Sequence, residues 1–219
     1  MLLLSHSARA QNQPDVAEIL KKVSETYKAT TQYELVAEFK GRDERSGTPE
    51  AGHVVMAFRA PDRYRFEGGL PGTFADGTIV CDGSTVWFYQ SQSKQYGSLP
   101  LSALTAEAPG DLWDASPEAV DSFIMSRYRG ATDFAPGAKF LREEAIVYAG
   151  AKISCYVLSV PQRKDTYTWW IDSKRYWVLR EDHAGASSVF TTIKLGEPIP
   201  DERFRFEPPP EAKKVEMNP

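Results

Sequence analysis

The sequence predicts a mainly β fold: a single curved antiparallel sheet of about 11–12 strands, too many to stay flat without curling or closing, with an N-terminal helix and an inserted helix over its concave face. Three observations predict it. Short runs of alternating or β-branched residues recur from Tyr33 to Leu195, separated by Gly, Pro, Asp and Ser, which is the spacing of an antiparallel meander. One pair of runs, Thr78-Ile79-Val80-Cys81 and Thr85-Val86-Trp87-Phe88-Tyr89, flanks Asp82-Gly83, residue types that supply the positive φ angles of a tight hairpin. Two segments, opening at Asp15 and at Ser116, replace the strand period with the helical one.

Asp15 to Tyr27 places Val16, Ile19, Leu20, Val23 and Tyr27 on one stripe, with Pro14 suited to an early helical position. Tyr33 to Phe39 then alternates, with Tyr33, Leu35, Ala37 and Phe39 on one face and charged residues mostly on the other. Further strands are expected at His53 to Arg59, Tyr64 to Glu67, Thr78 to Cys81, Thr85 to Gln90 and Gln95 to Leu99. Thr105 to Ala115 has no clear period. Ser116-Pro117-Glu118 supplies a capping residue, a first-turn proline and an early acid, and the helix it opens ends at Gly130 with Val120, Phe123, Ile124 and Tyr128 as its apolar stripe. Strands return at Phe140 to Tyr148, Lys152 to Val160, Tyr167 to Ile171, Tyr176 to Arg180, Val189 to Leu195 and Phe204 to Phe206.

Composition narrows the function classes. At 219 residues one domain over 11–219 is expected, and a formal net charge of −4 gives no reason to seek a phosphate backbone. In Arg63-Tyr64-Arg65-Phe66 and Arg203-Phe204-Arg205-Phe206 the arginines and aromatics fall on opposite strand faces, so they build no stacking platform and no nucleic-acid partner is expected. Met1 to Ala10 ends in Ala8-Arg9-Ala10, the form of a signal-peptidase site, and reads as a signal-peptide remnant cut before Gln11. Export to the periplasm follows as an expectation. No apolar run is long enough to span a bilayer.

A catalytic constellation is hard to assemble. Of the three histidines, His6 lies in the signal-like stretch and His183 in the turn-like Asp182-His183-Ala184-Gly185, which leaves His53. Glu143-Glu144 and Glu181-Asp182 are adjacent acids that strand geometry points to opposite faces, and both pairs read as solvated surface. Neither a nucleophile elbow nor a phosphate loop is present, so no enzyme activity, metal or cofactor is expected. Cys81 and Cys155 sit in separate strands, as two buried thiols or one bridge. About a dozen strands covered by two helices leave room for a hydrophobic cavity, whose chemistry is the binding of apolar ligands.

The N-terminal helix, Thr31-Gln32-Tyr33, the Pro61 strand break inside Phe58 to Phe66, the Asp82-Gly83 hairpin with Trp87-Phe88-Tyr89, and the closing Phe204-x-Phe206-x-Pro208-Pro209 together resemble the LolA/LolB family of periplasmic lipoprotein carriers. The resemblance covers most of the chain, and the second half, with Trp169-Trp170-Ile171-Asp172 and Arg175-Tyr176-Trp177-Val178-Leu179, resembles the broader LolA-like superfamily more than the carriers. It implies an unclosed barrel whose cavity takes lipid or lipoprotein acyl chains. In that cavity Tyr33, Leu35, Phe39, Tyr64, Phe66, Val86 and Phe88 form the lining, and Val120, Phe123 and Ile124 the lid. In the carriers an arginine just before the strand-break proline fastens the lid; here that position is Ala60, and Arg59, one step earlier, is the candidate latch, reaching the inside only through a bulge. The alternative is an RseB-like sensor or scaffold that binds another envelope protein in stress signalling.

Overall fold

A computed structural model describes residues 13–42, 48–69, 76–104, 115–162 and 165–217, so the signal-like Met1 to Ala10 lies outside the described residues. Helix α1 spans Val16–Lys28, and Asp15 is its N-cap, the Oδ1 atom accepting from the Ala17 and Glu18 amides at 2.9 and 3.4 Å. Pro14 therefore stands before the helix rather than in it. Helix α2 spans Pro117–Arg129, with Ser116 as N-cap, proline in its first turn and Gly130 at its C-cap.

Among the described residues twelve strands make one sheet: β1 Gln32–Arg42, β2 Pro49–Arg59, β3 Arg63–Gly69, β4 Gly77–Asp82, β5 Thr85–Gln90, β6 Gln95–Pro100, β7 Lys139–Tyr148, β8 Ala151–Gln162, β9 Asp165–Asp172, β10 Val178–His183, β11 Ala186–Leu195 and β12 Lys213–Lys214. Their order is β12-β6-β5-β4-β3-β2-β1-β11-β10-β9-β8-β7, so the two halves of the chain join where β1 meets β11 and the outermost strands, β7 and β12, do not pair. Every pairing is antiparallel except that of β12 with β6. The barrel is unclosed, as expected.

Register carries the apolar face across the first half without a slip. Tyr33, Phe58, Tyr64, Cys81, Val86 and Leu99 form one cross-strand row, and Leu35, Met56, Phe66, Ile79, Phe88 and Gly97 the next. At the β4–β5 hairpin only Gly83 has positive φ, 100°, while Asp82 closes β4 and its Oδ1 accepts from the Ser84 and Thr85 amides at 2.9 Å each. The turn is thus centred one residue later than Asp82-Gly83, with glycine at its first central position.

Two expectations at the C-terminal end change. Phe204 to Phe206 is not a strand: Asp201–Phe204 is a turn of 3₁₀ helix, and the twelfth strand is Lys213–Lys214. Pro200 and Pro208 to Pro210 remove ladder donors on both sides, and the aromatics instead cover the convex face of the sheet. Phe204 packs with Ile199 and Ala57 in a small second core, and the Phe206 ring stacks on Trp87 at 6.3 Å. The strand expected from Tyr176 begins at Val178, because Asp172 folds the preceding residues into a turn in which Tyr176 adopts φ 58°. Cys81 and Cys155 are free and buried, on β4 and β8, far apart in the sheet.

Candidate functional site

The concave face is filled at one end and hollow at the other. Over the filled end, α1 buries Ile19, Leu20, Val23 and Tyr27, and the Tyr27 hydroxyl accepts from the Val178 amide at 3.1 Å. Arg129 fastens the two helices to each other: its Nε and NH2 donate to the Tyr27 and Thr30 carbonyls at the end of α1, and its own carbonyl accepts from Ser24 Oγ at 2.5 Å. The same guanidinium pairs with Asp121, about two turns back along α2.

The hollow end is a cavity of about 400 Å³ between α2 and the sheet. Ala37, Val54, Phe66 and Phe190 line it from the sheet, and Phe123, Ile124 and Tyr128 from the helix. Gly52 shapes its edge, since a Cβ there would stand 2.5 Å from the Phe39 ring that lies across it. Phe66 meets Phe123 edge-on, ring centres 5.6 Å apart, and Phe123 itself is 58% exposed at the mouth.

One wall is polar. Arg127 on α2 pairs with Glu181 on β10, NH1 to Oε1 2.5 Å, and the Tyr128 hydroxyl donates to Glu181 Oε2 at 3.2 Å. A β-bulge between Val178 and Arg180 places Glu181 opposite Trp169 in the inward row, while Arg180 and Asp182 pair with each other across the outer face. The Glu181 side chain is 11% exposed, so it is not a solvated surface acid. Burial opposes the charge on Arg127, and the Glu181 carboxylate overcomes this and holds the guanidinium more firmly protonated than usual. Burial and the same carboxylate push the Tyr128 phenol well up. The Arg127 guanidinium also lies over the Tyr167 ring at 5.1 Å, and Tyr167 stacks on His183 at 4.3 Å. His183, read as a turn residue, is therefore part of the wall, and His53 stands at the rim with its ring over Gly69.

Of the residues expected to line a cavity or its lid, Phe39, Phe66, Phe123 and Ile124 meet here. Tyr33, Leu35, Tyr64 and Val86 share the same sheet face but are buried in packed core, and Phe88 is half-buried against it. Tyr33 is fully buried, stacked on Phe58 at 5.5 Å with its hydroxyl toward Asp121, and Tyr64 donates to the Ala115 carbonyl just ahead of α2. On α2 the stripe turns by part of a residue step: Val120, Met125 and Tyr128 are buried, and Phe123, expected inside, is exposed. Arg59 lies on the convex face. It donates to the Ile199 carbonyl at 2.9 Å, pairs with Asp201 and covers the Phe204 ring, so it holds the C-terminal segment and reaches neither helix. β1 and β2 pair without a register shift as far as Gln32 and Arg59, so nothing turns it inward. Among the described residues no group of three or more His, Cys, Asp or Glu is placed to hold a metal ion.

No protein-family model matches the chain. It is 26% identical over 209 residues to an uncharacterized protein of Methanocaldococcus jannaschii, a match that covers 94% of this chain and 55% of that one, so the chain spans about half the length of the curated relative. Among solved structures it is similar to an uncharacterized conserved protein of Thermus thermophilus, with 16% identity, TM-score 0.46 and coverage of 93% and 100% of the two chains. It is also similar to a structure of the Pseudomonas aeruginosa MucA/MucB complex, with 16% identity, TM-score 0.45 and coverage of 89% and 62%. A LolA superfamily protein of Nitrosomonas europaea matches at 13% identity and TM-score 0.33, covering 89% and 99%. Among the described residues no helix is long and apolar enough to cross a membrane.

Proposed function

We propose that this protein is a carrier that binds the apolar chain of a lipid or of a lipoprotein acyl group in the cavity under α2, acting after export, in the periplasm where the cell has one. The observation that supports this most is the cavity itself, floored by the apolar sheet face and opening beside an exposed phenylalanine. Pockets that hold small ligands run from about 300 to 1,000 Å³ and are mostly apolar with a few placed polar groups, which describes this one. Phe39, Phe66, Phe123 and Ile124 are the ligand contacts in this reading, and α2 is the lid. Titration of the purified chain with a fluorescent fatty acid tests the reading: saturable binding with an emission change is expected, and its absence refutes it.

A further inference from the structure

The polar wall is unbalanced between donors and acceptors. Glu181 is the acceptor-only group, and both of its oxygens are already engaged, one by Arg127 and one by Tyr128. Arg127 has a planar fork of five N–H donors, yet among the described residues its guanidinium makes a hydrogen bond only from NH1 to Glu181. Its side chain is 31% exposed against 11% for Glu181, so the arginine stands nearer the mouth and the acid behind it. The hydroxyls of Tyr167 and Ser188 on the same wall add donor capacity.

We infer that this wall is a head-group station for an anion, and that the ligand is a single-chain amphiphile whose singly charged anionic head accepts from the free edge of Arg127 while its chain lies against Phe66, Val54 and Phe190. The inference rests on the acyl-cavity reading above and deepens it. A cationic head would meet a Glu181 already neutralised by Arg127 and standing behind it, whereas an anionic head meets the guanidinium donors that lack a protein partner. Planar carboxylate suits a guanidinium fork best, through two parallel N–H···O bonds. The cavity lies near the small end of the usual range, which suits one chain.

The test compares three ligands of one chain length, dodecanoate, dodecanol and dodecyltrimethylammonium, each below its micelle threshold, by displacement of a bound apolar dye from the full chain. Wild-type protein is expected to bind dodecanoate about tenfold more tightly than dodecanol, which is about 1.4 kcal/mol, and the cation most weakly. Arg127→Gln should bring the carboxylate-to-alcohol ratio to about one, and Arg127→Lys should restore part of it. A wild-type ratio of one, a preference for the cation, or a wild-type preference that persists in Arg127→Gln overturns the inference while the cavity reading stands. Failure of all three to displace the dye overturns the cavity reading and the inference with it. The wild-type comparison decides the sign without any variant.

Discussion

Arg127 on α2 and Glu181 on β10 form an ion pair, NH1 to Oε1 2.5 Å, that ties the covering helix to the sheet beside the cavity. The sequence resemblance implied an arginine fastening the lid from the β2–β3 corner, and Arg59 at that corner faces the other way. The tie between helix and sheet comes instead from the helix itself and from a strand late in the chain.

Breaking this pair from one side should cost stability. With Arg127 partly exposed, leaving the largely buried Glu181 charge without its cation should cost about 1–3 kcal/mol, less than for a fully buried pair. Urea melts of Arg127→Met, Glu181→Leu and the double variant check this. The double variant should recover most of the loss of either single one, because the uncompensated charge is then gone.

Phe123→Asp should lower stability by no more than about 1.5 kcal/mol, because the side chain is 58% exposed and gives up chiefly its edge contact with Phe66. Met125→Asp, two residues on and fully buried, should cost several kcal/mol and lower the melting temperature sharply. Ligand binding should nonetheless weaken in Phe123→Asp, since a carboxylate then stands at an apolar mouth. Thermal melts beside dye titrations separate the two effects.

The contrast between Phe123 and Met125 shows how far the sequence was legible. Strand alternation and the two helices were readable because each element's apolar period is its own signature, and the inward face of β1 to β5 followed from parity with no register shift. Where that face is packed and where it is hollow was not readable, since it depends on which half of the sheet α1 covers. The inward turn of Glu181 was half legible: parity already sent one of Glu181 and Asp182 inside, and only the bulge at Val178 to Arg180 decided which. Phe204 looked like a strand residue because aromatic alternation is the same whether a segment joins a sheet or lies across its back.

Stability should fall in acid through Asp172. Its side chain is almost fully buried, which by itself raises the pKa, but the Lys174 and Arg175 amides and the Arg175 guanidinium hold the carboxylate below its ordinary value. A depressed native pKa contributes stability above the unfolded value of about 3.9 and loses it as pH falls through the lower native value. Asp172→Asn should be less stable at neutral pH and show a shallower loss below about pH 4, measured by denaturant melts across that range.

Burial pushes the Cys81 thiol up to about 11 and the Cys155 thiol up to about 12. Both should stay unmodified when the folded protein meets an alkylating reagent at neutral pH, and both should react in denaturant, with or without reductant. Intact mass reads the outcome directly.

The central claim is that the hollow under α2 receives an apolar chain. Val54 lines it from β2 and is only partly buried, so Val54→Phe places a ring in the void rather than in packed core. Titration of a fluorescent fatty acid into wild-type and Val54→Phe protein, with melting temperatures measured in parallel, is the most direct test. The account predicts saturable binding by the wild type and a loss of about tenfold or more in the variant, about 1.4 kcal/mol, with the fold retained. Equal binding by a folded Val54→Phe, or no binding by the wild type, would contradict it.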